Sequence, residues 1–172
     1  LKANHLIEQD CVHYDGSVKI DNGDFLQGSP LCNYLVSKLK SSLPLTSIYN
    51  RLGFDFGIVG NHEFNYDLPY LKQAINQLHY PVLCANIIEN TQPFTGQGIH
   101  YFKVNDLTIG TIGLTTQYIP HWEQPDYIKT LTFNSAVHTL KSELPTLREK
   151  SDIVVVSYHG GFERDLDSGL PT

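Results

Sequence analysis

The chain has no methionine, one tryptophan and only three cysteines in 172 residues. Cys11, Cys32 and Cys84 stand far apart and form no C-x-x-C pair, which excludes a zinc ribbon, a thioredoxin-type centre and a dense disulfide scaffold. An odd number of thiols without framework spacing reads as free cysteine. That leans toward a reducing, cytoplasmic compartment, with export to the periplasm or cell wall as the alternative. Cys84, inside an apolar run, reads as a small core residue. No apolar run is long enough to span a bilayer. No Lys/Arg run occurs and the formal net charge is −6, so nothing is built to wrap a nucleic acid polymer. Leu1-Lys2-Ala3-Asn4-His5 has neither an initiator Met nor a signal-peptide layout.

What remains is a globular composition. Hydrophobic residues make up 41% and charged residues 17%, enough for one domain with a real core. Apolar residues up to Gln9 suggest the tail of an amphipathic helix. Ser17–Asp21 alternates as a strand and Asn22-Gly23 breaks it. Pro30 fits the first turn of a helix through Leu39, and a second helix over Leu45–Leu52 stops at Gly53. Phe56–Val59 reads as a buried strand. Asp67 is placed to cap a helix with the stripe Leu68, Leu71, Ile75 and Leu78. Pro81–Ala85 is a strand, and Asn105-Asp106 joins two strands in a hairpin. Ser135–Lys150 carries a helical stripe that Pro145 should kink or split. Asp152–Ser157 reads as the clearest buried strand. This alternation predicts an α/β layered fold, a mixed sheet with one hairpin between helices. Chemistry in such folds gathers in loops beyond the carboxyl ends of strands.

Three short stretches sit at such ends: Asp21-Asn22-Gly23-Asp24, Gly60-Asn61-His62-Glu63 and His159-Gly160-Gly161. Asp24 can bridge divalent cations with its carboxylate, or serve an Asx turn or helix cap. Asn61 offers a neutral, hard oxygen. His62 can donate to a phosphoryl oxygen or leaving group, or stand as an exposed loop residue. His159, ahead of two glycines, can be a ligand or a satisfied strand-end histidine. Glu63 reads either as an acceptor behind the ligands or as a solvated loop acid. Tyr118, His121 and Trp122 could line a pocket or pack on the sheet edge. Asn86 reads as a brace for the loops. Glu163, Arg164, Asp165 and Asp167 read as a solvated loop. His5, His13, His79, His100 and His138 show no ligand spacing.

Taken together with Gln27-Gly28-Ser29-Pro30, Phe64-Asn65-Tyr66, Ile112–Thr116 and Ile119-Pro120-His121-Trp122-Glu123, these stretches resemble the calcineurin-like metallophosphoesterase superfamily. Within it the resemblance is to the bacterial 5′-nucleotidase and 2′,3′-cyclic-nucleotide 2′-phosphodiesterase group. It implies two divalent metal ions (Mn, Zn, Fe or Mg), with Asp24 bridging them, Asn61 and His159 on the second, and His62 as the catalytic imidazole. It implies hydrolysis of phosphoester bonds in nucleotides or cyclic nucleotides, by in-line attack of a metal-activated water. UDP-sugar or other ester hydrolysis, and a non-catalytic partner-binding remnant of the domain, are the alternatives.

The sequence also departs from the family. Asp10, His13 and Asp15 do not make its opening Asp-x-His, and its later Gly-His-x-His is not found. Residues 1–172 therefore read as a single partial catalytic domain lacking the first strand and the C-terminal part, expected to hold one weak metal site at most. Asn65 stands where many nucleotidases carry an Asp that orients the catalytic histidine, which tilts the resemblance toward the cyclic-phosphodiesterase branch.

Overall fold

The computed structural model describes residues 2–161 and 168–169. Leu1, Glu163, Arg164, Asp165 and Asp167 lie outside the described residues. Helix α1 (Lys2–Cys11) leads in without burying any residue, and is followed by strand β1 (Ile20–Asp21). Helix α2 (Pro30–Tyr34) begins at the expected proline, with Ser29 Oγ accepting from the Cys32 N–H at 3.3 Å, and runs on into a wider π turn over Leu35–Leu39. Helix α3 (Leu43–Leu52) ends at Gly53, and strand β2 (Phe56–Ile58) follows. A 3₁₀ turn, His62–Asn65, leads to α4 (Leu68–Gln77), which Asp67 caps by accepting from the Tyr70 N–H at 2.8 Å.

Strands β3 (Val82–Leu83), β4 (Ile87–Glu89) and β5 (Gln92–Pro93) come next. The hairpin is β6 (Ile99–Val104) and β7 (Leu107–Thr115), turning at Asn105 with φ 53°. A 3₁₀ turn (Ile119–His121), α5 (Pro125–Ile128), β8 (Leu131–Phe133), α6 (Ala136–Lys150) and β9 (Ile153–His159) complete the described chain.

The layering is as expected, with the strands shared among three sheets. One is the parallel set β1-β2-β3, one is the mixed set β6-β7-β9, and the small antiparallel set β5-β4-β8 stands apart. Side-chain alternation explains how the first two pack. Phe56, Ile58 and Leu83 turn inward to meet Phe102 and Val155 from the second sheet. On β7 the inward position between them is Gly113, where a Cβ would stand 2.6 Å from Leu83 Cβ, so only glycine lets the sheets approach this closely. The outward residues Ile112 and Leu114 pack on Ala136, Leu140 and Leu147 of α6. Val59, Leu71, Ala74, Leu35 and Leu45 seal the outer face of the parallel sheet with the other helices. Each fully buried Leu, Ile or Phe in these layers contributes about 1.5–3 kcal/mol relative to exposure.

Two expectations are corrected. Pro145 does not split α6, which runs unbroken over Ala136–Lys150. Pro145 and Lys141, whose carbonyl loses its i+4 donor, both face solvent, so water takes the freed group. Strand β9 is not a buried strand but an edge strand. Among the described residues it pairs only with β7, and Ile153, Val156 and Tyr158 are exposed along it.

Candidate active site

β1, β2 and β3 run parallel, as do β7 and β9, so the loops that leave them are brought to one rim of the packed sheets. There the structure joins three of the four sequence-predicted residues directly. His159 Nε2 lies 3.1 Å from Asp24 Oδ2 and 3.2 Å from Asn61 Oδ1. Its other nitrogen, Nδ1, is 2.6 Å from the Asn22 carbonyl, an acceptor only, so Nδ1 carries a proton. The second oxygen of Asp24 accepts from the His62 backbone N–H at 2.9 Å. The fourth residue, His62, is held sideways, its ring Nδ1 2.6 Å from Asn65 Oδ1.

Glycine makes this approach geometrically feasible. A Cβ on Gly60 would sit 2.2 Å from Asp24 Oδ1, and one on Gly23 would sit 2.4 Å from the Gly60 nitrogen. Asp24 itself is left-handed at φ 68°, a conformation that costs an L-residue ~1–2 kcal/mol and that Asp tolerates better than most.

Glu63 offsets that cost. It is not a solvated loop acid, because its side chain is fully buried. Its Oε2 accepts from the backbone N–H groups of Asp24 at 2.7 Å and Gly60 at 2.5 Å, and Oε1 accepts from Leu26 at 3.1 Å. One carboxylate thus ties the loop after β1 to the loop after β2. Asp21, also buried, accepts from Tyr80 Oη at 2.9 Å and from the Gly23 N–H at 3.3 Å.

Charges in the rim shift accordingly. Burial alone would raise the Asp24 carboxyl, but the His159 hydrogen bond, the His62 N–H and the histidine charge outweigh it and hold it below the ordinary carboxylate range. The Asp24 contact raises the His159 imidazole, against the opposing effect of burial. Burial raises Glu63 and Asp21 despite the N–H and hydroxyl donors that they accept.

Other side chains brace the same loops. Asn22 accepts from Ser157 Oγ at 2.7 Å and donates from Nδ2 to the Tyr158 carbonyl at 3.3 Å, fastening the loop after β1 to β9. Asn86 is the brace it was read as. It donates to the Thr115 carbonyl at 2.7 Å and accepts from the Thr115 N–H at 2.9 Å, while Thr115 Oγ1 donates to the Val59 carbonyl at 2.6 Å. Glu123 Oε1 accepts from Asn65 Nδ2 at 2.5 Å. Tyr118, His121 and Trp122 do not pack on the sheet edge. They lie exposed and rest on one another, with Tyr118 5.1 Å from His121 and 6.3 Å from Trp122 between ring centroids.

Among the described residues no cluster of three His, Cys, Asp or Glu side chains is placed to hold a metal ion. The donors that meet are one carboxylate, one imidazole and one amide oxygen, a set suited to a borderline or hard divalent cation. Asp24 Oδ2 and Asn61 Oδ1 both face His159 Nε2, so these three atoms are the ones that would hold a cation. The set therefore fits one cation. All three cysteines are free, and Cys32 and Cys84 are buried apart from each other. Their unpaired state follows from that isolation, so the lean toward a cytoplasmic compartment loses its basis. No helix among the described residues is long and apolar enough to cross a membrane.

No protein-family model matches the chain. Over 163 residues, 87% of this chain, it is 39% identical to the 2′,3′-cyclic-nucleotide 2′-phosphodiesterase/3′-nucleotidase of Salmonella typhimurium, of which it spans 25%. A Staphylococcus aureus structure described as a 5′-nucleotidase is 62% identical with a TM-score of 0.92, covering 98% of this chain and 33% of that one. The calcineurin-like phosphoesterase YfkN of Bacillus subtilis is 26% identical with a TM-score of 0.79, covering 98% of this chain and 56% of that one. The chain spans 25% of the first of these curated relatives, 13% of the curated YfkN sequence and 30% of UshA from Escherichia coli.

Proposed function

The chain is a relative of the bacterial nucleotide phosphoesterases of the calcineurin-like fold, and on that premise we propose that the protein carrying it hydrolyses phosphoester bonds of nucleotides or 2′,3′-cyclic nucleotides. The observation that supports the reading is the meeting of Asp24 and Asn61 at His159 Nε2, 3.1 and 3.2 Å from it, from loops far apart in the chain. The Salmonella typhimurium and Staphylococcus aureus relatives are described as nucleotide-hydrolysing enzymes, so UDP-sugar hydrolysis and a partner-binding remnant are not favoured.

Asp24, Asn61 and His159 would hold a divalent cation, in keeping with a family that works with two, of which these residues complete at most one site. A bound cation there supplies Lewis-acid polarisation of a phosphoryl oxygen and a water of lowered pKa. The chain's own groups do the rest. His159 keeps its Nδ1 proton on the Asn22 carbonyl, which fixes the ring and leaves Nε2 as the ligand atom. Asp24 presents Oδ2 to the same point while the His62 N–H anchors Oδ1. His62 has Nδ1 committed to Asn65, so Nε2 is the nitrogen left to donate to the phosphoryl group or the leaving oxygen. The acids around the rim repel a phosphate until a cation is bound, which makes substrate binding depend on metal.

The test is an assay of the full-length protein with manganese against bis-p-nitrophenyl phosphate, AMP and 2′,3′-cyclic AMP. Turnover of at least one is expected, and silence toward all three refutes the reading. His62→Ala should cost about 10²–10³ in turnover, the usual loss for a transition-state donor. An unchanged rate would remove His62 from the mechanism.

A further inference from the structure

We propose that Glu123 is a positioning residue that acts through Asn65 to fix which nitrogen of His62 carries the proton, and that it dictates asparagine rather than aspartate at position 65. The inference deepens the reading of His62 as the group that meets the phosphoryl oxygen, and its chemistry can be tested apart from that reading.

Three residues from two distant segments form a line. Glu123 Oε1 lies 2.5 Å from Asn65 Nδ2, and Asn65 Oδ1 lies 2.6 Å from His62 Nδ1. An ionised carboxylate can only accept, so the face of the Asn65 amide turned to Glu123 must be its NH₂. The carbonyl oxygen is then left facing His62 Nδ1. A carbonyl also only accepts, so Nδ1 must be the protonated nitrogen. Were the amide turned over, its oxygen would face the carboxylate and two acceptors would meet. The charge on Glu123 thus sets the amide, and the amide sets the tautomer. Nε2 has no hydrogen-bond partner among the described residues and remains the nitrogen available to substrate.

Glu123 is well held for this task. Its own N–H donates to the Ile119 carbonyl at 3.1 Å, and Ile119 is fully buried in the core beneath the His62–Asn65 turn. The Thr116 N–H that begins the segment donates to the His159 carbonyl at 2.9 Å, so the segment is referenced to the same rim. The same logic explains residue 65. An aspartate there would serve His62 Nδ1 equally well as an acceptor, but it would place a second carboxylate against Glu123 at hydrogen-bond distance. With Glu123 present, only an amide, donor on one side and acceptor on the other, satisfies both neighbours.

The experiment uses the 172-residue chain with ¹⁵N-labelled histidine and reads the His62 Nδ1–H correlation by NMR, assigned by its loss in His62→Gln. Wild type is expected to show the Nδ1–H form alone. Glu123→Gln keeps the size and shape of the side chain but can donate or accept, so the Asn65 amide is released and a mixture of tautomers is expected. The double variant Asn65→Asp with Glu123→Gln moves the charge one residue along the line. Its new carboxylate can only accept, and the substituted amide donates to it, so the Nδ1–H form returns as the sole species. In thermal unfolding Asn65→Asp alone should melt ~3 °C or more below that double variant, because its two carboxylates face each other.

An unchanged His62 spectrum in Glu123→Gln overturns the proposal, as does a double variant that fails to restore the Nδ1–H form. Equal melting of Asn65→Asp and the double variant also overturns it. A shape-only role for Glu123 would survive Glu123→Gln untouched. Loss of phosphoesterase activity as a whole, with these spectra as expected, would sink the functional reading and leave the Glu123–Asn65–His62 line standing.

Discussion

Removing the Glu63 carboxylate should loosen the rim more than any exposed acid could, and the cost can be worked from its three bonds. Oε2 takes two backbone N–H groups, Asp24 and Gly60, and Oε1 takes Leu26. In Glu63→Gln the amide oxygen can keep the two-donor position, but its NH₂ then faces the Leu26 N–H, donor against donor. Leu26 is buried, so its N–H has no water to turn to. One orphaned buried donor costs about 1–3 kcal/mol.

Glu63→Ala orphans all three groups and leaves a void, for about 3–6 kcal/mol, a large share of the ~5–15 kcal/mol that holds a domain together. Asp24 would also lose the bond that holds its left-handed backbone. Relief of the buried charge works the other way and keeps Glu63→Gln toward the low end. In urea, with a slope of roughly 2 kcal/mol/M for a chain of this size, Glu63→Gln should lower the midpoint by ~0.5–1.5 M. Glu149→Gln, on an exposed turn of α6, is the control and should stay within ~0.5 kcal/mol of wild type. A Glu63→Gln midpoint equal to wild type would refute the clamp.

The remaining expectations are simpler. Only Cys11 is not buried, so in the native chain a thiol reagent should label it first. Cys84, with its thiol pushed up to about 12 by burial, should react only on unfolding, and fast labelling of Cys84 would contradict the core. The Lys72–Glu89 pair, 2.5 Å apart, holds Glu89 below its ordinary value chiefly through the lysine hydrogen bond. A depressed carboxylate adds stability above its unfolded pKa and loses it as pH falls through the folded one. Lys72→Met should therefore narrow the stability difference between neutral and acid pH by under ~1 kcal/mol for a half-buried surface pair, and an unchanged difference would show that the pair adds nothing. Millimolar Mn²⁺ should raise the melting temperature, by roughly 5–10 °C at a hundredfold excess over its dissociation constant, and His159→Ala should abolish the rise; a rise that survives His159→Ala would place the ion elsewhere.

What the sequence made legible was what is local. Pro30 and Asp67 announce helix starts because a cap is settled within three residues, and Asn105-Asp106 announces its hairpin for the same reason. Asp24, Asn61, His62 and His159 were visible because each follows a strand, in an order that a known family shares. Strands β4 and β5 are three and two residues long, too short for an alternation to show, so the stretch from Glu89 to Gly98 reads as loop, whereas β8 falls within the short strand that Thr130–Phe133 suggests. Strand β9 looked buried because four apolar residues stand in a row, a pattern that an edge strand also produces when one face meets a helix. Glu63 was legible only as one of two readings, and the role of Glu123 was illegible, for another reason. Their partners lie up to 39 and 58 positions away, and no short-range pattern marks a carboxylate that reaches across a fold to catch a backbone N–H or an amide.

Those two acids point to a common way of building the rim. Asp21, Glu63 and Glu123 each organise the loops by accepting from neutral donors: a hydroxyl and a backbone N–H, three backbone N–H groups, and a side-chain amide. Among the described residues none of them, nor Asp24, pairs with Lys or Arg, and the one ion pair in the rim is between Asp24 and His159. A structure built for stability alone would gain little from several acids gathered without a cation, since burial works against their charge. The arrangement makes sense if the positive charge comes from outside the chain. A lysine or arginine placed there would hold the loops as well, but it would compete with a metal for the same oxygens. Neutral donors hold the acids in place without cancelling them. The loops are then rigid before any ligand arrives, and the field at their meeting point still favours a cation over a phosphate until the cation is bound.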